Sequence, residues 1–213
     1  KDIYIKSVFS HLAAGDEEEH DEFTRLQIER FTKMSDLIIS RFETPILRHL
    51  LNSAGTIRFP EAQFDMVRLG IGLYGAGTYD NTSLQNVSTL KSSISQIKDV
   101  PAKDTIGYGR KGIAERDMKI AIVPIGYADG LSRKLSNGKG KLVVNGKFAP
   151  IIGNICMDMC MIDITEITAN EGDEVIIFGE EYSITKFAKN MDTIPYEVLT
   201  GISRRVKRVY FQE

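Results

Sequence analysis

The chain lacks most of the features that would place it in a specialised class of protein. It has no tryptophan, and two cysteines in 213 residues are too few for a disulfide framework, which favours a reducing compartment. No apolar run approaches the ~18 residues of a membrane-spanning helix. Lys and Arg number 27 and Asp and Glu 29, and this near balance argues against a general nucleic-acid or membrane-surface binder. The 42% hydrophobic and 26% charged residues instead fit an ordinary globular protein.

The chain also begins without an initiator methionine and without a secretory or transit pattern. Its first residues, 2–9, already have the β-branched and aromatic composition of a strand. A natural protein rarely begins within a strand. The sequence therefore predicts a fragment whose upstream part is missing.

Residues 1–84 alternate between strand and helix patterns. Strands are predicted over residues 3–9, 46–51 and 66–74, and helices over residues 21–42 and 60–64, with a turn at 52–55. Such alternation predicts a parallel sheet covered by helices. In these sheets the functional residues follow the carboxyl ends of the strands, and the residues predicted there are His11, Asn52, Ser53, Gly70 and Ile71.

Residues 85–213 are predicted to be mostly strand, after a polar linker over residues 78–88. The predicted strands cover residues 89–100, 118–125, 141–144, 147–152, 155–164, 174–178 and 205–211, with one helix at 184–191. Asn145 followed by Gly146 is a strong hairpin signal, because both positions accept positive φ. The predicted fold is a partial (β/α) barrel of the TIM type over residues 1–84, followed by a mainly β domain over residues 85–213.

The glycines between Gly70 and Gly75 fit the dinucleotide-binding spacing G-x-G-x-x-G. That motif requires a helix at the glycines and an acidic residue about 20 positions later. Here a loop is predicted to follow, and Lys91 stands near the acidic position, so a Rossmann site is not expected. A phosphate held by backbone N–H groups of this loop and a plain tight turn both remain open.

The two cysteines, Cys156 and Cys160, lie four residues apart on a predicted strand and so share a face, as core residues do. A zinc site would need two further ligands at standard spacing, and the three histidines do not supply them, so no metal is expected. Among those histidines His11 has the strongest functional case, because it follows a strand. Tyr108 stands between two glycines and Tyr127 follows one, both on predicted exposed turns. A purely structural tyrosine is less usual at such positions.

Seven short stretches stand out along the chain. They are Ser10-His11-Leu-Ala with Asp16; Asn52-Ser53-Ala; Val67-Arg68-Leu-Gly70-Ile71-Gly-Leu-Tyr74-Gly; Gly107-Tyr108-Gly; Pro124-Ile-Gly-Tyr127-Ala-Asp-Gly130; Gly153-Asn-Ile-Cys156-Met157-Asp158; and Pro195-Tyr196-Glu-Val. Together, and in this order, they resemble the alanine racemase family. Gly-Tyr-Ala-Asp-Gly and Ile-Cys-Met-Asp are the most specific. The resemblance implies an isomerase that interconverts L-alanine and D-alanine with pyridoxal 5'-phosphate, on an α/β barrel followed by a β-domain.

The resemblance implies a role for each catalytic residue. Racemisation removes the α-proton from one face of alanine and returns a proton to the other, which two opposed acid–base groups do best. By position Tyr108 is the base toward L-alanine, and His11 and Arg68 form the hydrogen-bonded chain behind it. A free tyrosine has a pKa of ~10, so neighbouring cations would have to stabilise its phenolate. Arg68 also resembles the arginine that faces the pyridine nitrogen of the cofactor.

The resemblance also implies which residues bind the cofactor and the substrate. The cofactor residues are His11, Asn52, Ser53, Arg68, Gly70, Ile71 and Tyr196, with the phosphate on the Ser53 and Tyr196 hydroxyls and on the N–H groups of Gly70 and Ile71. The substrate residues are Tyr127, Met157 and Asp158, and Met157 offers its backbone N–H to the carboxylate. An access corridor is implied for Asp16, Tyr127, Arg133 and Ile194.

In the family the β-domain of one subunit closes the barrel of the other, so the resemblance implies a homodimer with shared active sites. The balanced charge predicts no nucleic-acid or membrane partner. It further implies a cytoplasmic enzyme that supplies D-alanine for the peptidoglycan of the cell wall.

The chain departs from the family pattern in two respects. The Schiff-base lysine and the arginine that helps to bind the substrate carboxylate belong to segments upstream of Lys1, so the chain alone is expected to be inactive. Asn154 stands where many members carry an arginine in the access corridor. The alternatives are a racemase of the same fold with broader amino-acid specificity, a cofactor-carrying homologue without activity, a non-catalytic dimerisation or structural fragment, and a decarboxylase of similar architecture.

Overall fold

The computed structural model describes residues 3–77 and 84–211. Contacts divide the chain into two compact units, Lys1–Val87 and Ser88–Glu213. The predicted linker over residues 78–88 falls partly outside the described residues. Within the described ranges, no helix is both long and apolar enough to cross a membrane.

The first unit contains parallel strands with helices between them, as predicted. Strand β1 (Ser7–Phe9) pairs in parallel with β2 (Leu47–His49), and Phe9 lies opposite His49. A third segment joins through a parallel bridge between His49 and Met66. Helix α1 (Asp21–Ile39) connects the two strands, and the short helix α2 (Ser53–Arg58) follows β2. This arrangement is part of an α/β barrel.

The core of the first unit lies between α1 and the segments that follow the strands. Thr24, Phe31 and Ser35 are the buried positions of α1, and their spacing places them on one face of the helix. Phe31 packs there in a cluster of buried residues that includes Leu12, Leu50, Leu51, Phe59 and Ala62. Because Leu12, Leu50 and Leu51 come directly after β1 and β2, this cluster fixes the chain where each strand ends.

Three predictions for the first unit were wrong in detail. The predicted turn at 52–55 opens helix α2, because the Asn52 side chain accepts the Gly55 N–H at 2.9 Å and caps the helix. The predicted strand at 66–74 is reduced to the Met66 bridge and a single 3-10 turn, Ile71–Tyr74. Glycines interrupt that apolar stretch, and Gly75 adopts a φ of 69°, which favours a turn over a strand. The predicted strand at 3–9 keeps only its last three residues.

The second unit is mainly β, as predicted. Its strands are β3 (Leu90–Ser93), β4 (Gln96–Val100), β5 (Thr105–Ile106), β6 (Gly112–Ile113), β7 (Met118–Val123), β8 (Lys141–Val144), β9 (Lys147–Ile152), β10 (Cys160–Asp163) and β11 (Glu174–Phe178). Helices α3 (Ile184–Asn190) and α4 (Pro195–Gly201) follow. Seven strands form one antiparallel sheet in the order β3-β11-β8-β9-β10-β7-β4, and β5 pairs with β6 in a separate hairpin.

The two end strands of the seven-stranded sheet follow each other directly along the chain. Strands β3 and β4 stand at opposite ends of the order, yet only Ile94 and Ser95 separate them along the chain. The Ile94 N–H bonds to the Asp173 carbonyl beside β11, and the Ser95 N–H bonds to the Ile122 carbonyl of β7. The predicted single strand over residues 89–100 is therefore two strands, because the chain bends at this point and changes partner.

Other predictions for the second unit had mixed outcomes. The predicted strand over residues 155–164 is shortened to Cys160–Asp163, so Cys156 lies outside the strand. The predicted hairpin at Asn145 and Gly146 is confirmed, since Val144 pairs with Lys147 and both turn residues have positive φ. The predicted strand over residues 205–211 was wrong. Arg208 there donates to the carbonyls of Ile202, Ser203 and Val206, so local turn contacts replace a strand pairing.

Candidate active site

The carboxyl edge of the parallel strands collects residues that are distant in sequence. Strands β1 and β2 end at the paired residues Phe9 and His49, and the Met66 bridge brings the third segment to the same edge. The residues after these points therefore leave the sheet together. His11, Ser53 and Arg68 each follow one of the three segments.

Arg68 occupies the centre of this edge. Its Nη1 lies 2.7 Å from His49 Nδ1, while its Nη2 lies 2.7 Å from the Ser10 carbonyl and 3.1 Å from the Leu50 carbonyl. Nη2 also lies 3.2 Å from His11 Nδ1. His11 and Arg68, the two residues predicted to form a hydrogen-bonded chain, are therefore in contact. The half-buried guanidinium is thus fixed through one N–H of Nη1 and both of Nη2, while its Nε–H and second Nη1–H have no acceptor in the described part of the chain.

His49 also lies at this edge, although its sequence pattern raised only the question of a metal ligand. Its side chain is 7% exposed, and its ring stacks on Phe9 with centroids 5.1 Å apart. A guanidinium can only donate, so His49 Nδ1 must accept from Arg68. The ring proton is then on Nε2, which donates to Ser7 Oγ at 3.3 Å. Burial and the charge of Arg68 lower the pKa of His49 below its ordinary value of 6.5.

The lowered pKa of His49 makes stability depend on pH. Below pH 6.5 the unfolded chain takes up a proton at this residue before the folded chain does, so the free energy of unfolding decreases as the pH falls. In Arg68→Gln the positive charge is removed, and we expect the midpoint of the His49 titration, followed by NMR of its ring carbons, to move upward. The exposed ring of His20 provides the reference signal in the same spectra. An unchanged His49 midpoint would contradict the proposed pairing with Arg68.

A set of hydrogen-bond donors lies where α2 begins. Ser53 Oγ accepts the N–H of Gly70 at 2.9 Å and the N–H of Gly72 at 3.2 Å. Both lone pairs of the hydroxyl are then used, so the hydroxyl can only donate to a further partner. No acceptor for its proton occurs among the described residues. The Ile71 N–H, between those two glycines, also lacks a partner within the described part of the chain. This turn therefore presents a hydroxyl and an amide to an anion. Asn52, in contrast, uses its side-chain oxygen to cap α2.

Tyr108 lies at the tip of the β5–β6 hairpin in the second unit. Its side chain is 74% exposed. Gly107 and Gly109 on either side have φ of 76° and 66°, a region that other residues enter only with strain. A Cβ on Gly107 would also lie 2.9 Å from Met161 Cε. The glycines that flank Tyr108 are thus required by a tight turn that leaves its ring exposed.

The loop that carries Tyr127 is bonded to the segment that carries Met157. The N–H groups of Tyr127 and Ala128 donate to the carbonyls of Cys156 and Met157, each at 3.0 Å. The Met157 N–H itself has no partner among the described residues. A concave pocket of about 640 Å³ in this unit is lined by residues that include Tyr108, Met157 and Asp158. Three of the residues predicted from the resemblance are therefore in one pocket, with Tyr127 attached to its wall.

Asp158 is not free to contact a substrate with both oxygens, because Arg205 bridges it to the Tyr127 loop. Arg205 Nη2 lies 2.7 Å from Asp158 Oδ1, and its Nε lies 2.7 Å from Asp129 Oδ1. Burial alone would raise the pKa of Asp129, but the hydrogen bonds from Arg205 and from the Gly126 N–H outweigh it and lower that pKa. Arg205 could not be predicted from the sequence, because nothing in its local pattern connects it with Asp158 and Asp129, about 50 to 80 positions earlier.

The remaining predicted residues are dispersed. Tyr196 is the second residue of α4 and does not line this pocket. Arg133 begins a 3-10 turn, Arg133–Leu135, and Ile194 is the residue before α4. Asp16 lies in the first unit. Asn154, at the family's arginine position, bonds to the backbone of Tyr108 instead.

Comparison with known proteins identifies relatives along the whole chain. Residues 1–78 match the family model of the alanine racemase N-terminal domain, and residues 87–210 match that of the alanine racemase C-terminal domain. The chain is 44% identical to alanine racemase 2 of Caldanaerobacter subterraneus subsp. tengcongensis, over 98% of the chain and 55% of the relative. The chain thus spans about half the length of the curated relatives it matches.

Solved structures of alanine racemases are also similar. The structure from Bartonella henselae, with covalently bound pyridoxal phosphate, has a TM-score of 0.88 and 32% identity over 97% of this chain and 57% of its own. The structure from Bacillus anthracis, with bound L-Ala-P, has a TM-score of 0.88 and 32% identity over 98% of this chain and 56% of its own.

Proposed function

The chain belongs to the alanine racemase family, and from this membership we propose that the protein of which it forms part interconverts L-alanine and D-alanine with pyridoxal 5'-phosphate. The observation that carries the proposal is the Arg68 guanidinium, held by four acceptors at the carboxyl edge of the parallel strands. A fixed cation with a spare donor, next to donors suited to an anion, fits a phosphorylated pyridine. The relative with covalently bound pyridoxal phosphate supports this choice of cofactor.

The first unit offers hydrogen-bond donors that suit the phosphate and the pyridine nitrogen of the cofactor. The Ser53 hydroxyl and the Ile71 N–H would hold the phosphate, and a side chain at Gly70 would meet nothing within 4 Å, so space is open there. The spare Nε–H of Arg68 would face the pyridine nitrogen, and a permanent cation at that position disfavours protonation of the ring. The bound cofactor supplies the electron withdrawal that makes the α-proton of alanine removable.

The residues of the second unit fit the substrate and the proton transfer. The exposed phenol of Tyr108 takes the α-proton from L-alanine and returns a proton when D-alanine is the substrate. The Met157 N–H, which has no partner among the described residues, holds the substrate carboxylate. Tyr127 and Asp158 restrict the space beside it, with Asp158 fixed by Arg205.

The proposal includes a homodimer, as the family resemblance implies, in which the β-domain of one subunit closes the barrel of the other. In that dimer the Tyr108 of one subunit serves the cofactor held by the barrel of its partner, in an isologous arrangement. We place the enzyme in the cytoplasm, where the D-alanine that it forms is used for peptidoglycan. The 213 residues alone are expected to be inactive, since the cofactor lysine of the family is not among them.

The test uses the protein of which the chain forms part, called the longer protein below, loaded with pyridoxal phosphate. It measures the D-alanine formed from L-alanine by this protein and by the 213-residue chain treated in the same way. We expect racemisation by the longer protein and none by the 213 residues. A panel of L-serine and the basic amino acids distinguishes a racemase of broader specificity, since a pocket for alanine should turn these over poorly. Absence of D-alanine from the loaded longer protein would refute the proposal, and faster racemisation of serine would redirect it.

A further inference from the structure

Two asparagine side chains connect the Tyr108 turn to the end of strand β9. Asn137 Nδ2 donates to Asn154 Oδ1 at 3.1 Å, and Asn154 Nδ2 donates to the backbone carbonyl of Tyr108 at 3.0 Å. The two bonds fix the orientation of the Asn154 amide, since a flipped amide would place its oxygen against the Tyr108 carbonyl and its nitrogen against a donor. The hydrogen bonds therefore run in one direction, from Asn137 to Asn154 and from Asn154 to the backbone of Tyr108, the proposed base.

The segment that carries Asn154 is itself firmly held. The Asn137 N–H donates to the Gly153 carbonyl at 3.0 Å, and the Ile155 N–H donates to Ser136 Oγ at 3.0 Å. Bonds on both sides of Asn154 thus attach it to the loop at residues 136–137. Asn137 adopts a φ of 58°, which asparagine tolerates better than most residues. Asn154 consequently offers a fixed donor rather than a mobile one.

The Tyr108 turn, in contrast, has little else to hold it. A Cβ on Gly153 would lie 2.7 Å from the Ile106 carbonyl, so the base of the hairpin packs backbone against backbone on the same segment. Beyond that base, Arg110 donates only within the hairpin, to Gly107 and Thr105. Among the described residues, the bond from Asn154 is the only hydrogen bond that joins the tip at 107–111 to another part of the unit. With a glycine on each side of Tyr108, the tip has little side-chain bulk to restrict its backbone, and the packing of Gly107 against Met161 supplies no hydrogen bond.

We propose that Asn154 is a positioning residue for Tyr108, and that Asn137 supports it by orienting its amide. The inference rests on the proposed function, because it assumes that Tyr108 transfers the proton on the L face. A displacement of about 1 Å between reacting atoms can cost a factor of about 100 in rate. A hydrogen bond that holds the backbone of a glycine-flanked tyrosine therefore has a direct effect on one face of the reaction and none on the other.

The experiment compares the wild-type longer protein with Asn154→Ala, Asn154→Asp and a matched control, Asn145→Ala. Asn154→Asp removes the donor to Tyr108 while keeping an acceptor for Asn137. Asn145 also donates its Nδ2 to a backbone carbonyl at 3.0 Å, that of Thr168, at the β8–β9 turn. Two quantities are measured: exchange of the α-proton into deuterated solvent from L-alanine and from D-alanine, and hydrogen–deuterium exchange of residues 105–112 in the cofactor-free protein.

Both Asn154 variants are expected to lower exchange from L-alanine about tenfold relative to exchange from D-alanine, because only the L-face base is displaced. Amide exchange over residues 105–112 should become faster in both, and Asn145→Ala should leave both quantities as in the wild type. A ratio of L to D exchange that stays within about twofold of the wild type, or that changes equally in Asn145→Ala, overturns the inference. A wild-type protein that exchanges neither enantiomer overturns the proposed function itself, and this role of Asn154 with it.

Discussion

Replacing Tyr108 by phenylalanine in the longer protein is expected to lower exchange of the α-proton from L-alanine by roughly 10²–10⁴-fold, the usual contribution of a positioned acid–base group. The change removes one oxygen atom and keeps the ring. Because the side chain is 74% exposed, no buried hydrogen bond is lost and the fold should not be affected. Exchange from D-alanine should persist, since the group on the opposite face removes that proton.

The control for this experiment is Tyr210→Phe. Tyr210 is 87% exposed and takes no part in the proposed site, so the same oxygen is removed from a neutral position. We expect this variant to exchange both enantiomers at the wild-type rate and to melt at the wild-type temperature. Equal rates for L-alanine in Tyr108→Phe and in the wild type would show that Tyr108 is not the base. Equal losses for both enantiomers would show that it acts in binding instead.

The architecture was predictable because it depends on local patterns. The strand and helix alternation before residue 84 and the short strands after it indicated both halves of the fold. The Asn-Gly signal at residues 145–146 located a hairpin to the residue. What failed were features decided by tertiary contacts. The bend at Ile94 and Ser95 depends on partners in β11 and β7, which no window of the sequence contains.

The candidate site divides in the same way. The residues carried by specific motifs, such as Tyr108 and Met157, could be proposed from the resemblance. His49 could not, because its importance lies in the bond to Arg68, 19 positions later, and in its stacking on Phe9. Its place as the last residue of β2, three positions before Asn52, was the one local signal. Arg205 and Asn154 likewise act through bonds across 46 or more positions.

The other large effect is expected for Gly126→Ala, at the start of the Tyr127 loop. A Cβ at this buried position would lie 2.3 Å from the carbonyl oxygens of both Cys156 and Met157. These are the two carbonyls that accept the N–H groups of Tyr127 and Ala128, so relief of the clash must lengthen those hydrogen bonds. Neither neighbour is a flexible side chain that could rotate away.

The clash at Gly126 should therefore lower the free energy of unfolding by about 1–3 kcal/mol, the typical cost of overpacking. Thermal and urea unfolding of the longer protein measure it. Gly201→Ala is the matched control, because a Cβ there meets nothing within 4 Å and alanine is the better helix former. Since the same backbone contact joins Tyr127 to Met157, Gly126→Ala should also weaken substrate binding, seen as a higher KM for L-alanine. Unfolding of Gly126→Ala at the midpoint of Gly201→Ala would mean that the two segments are not in contact.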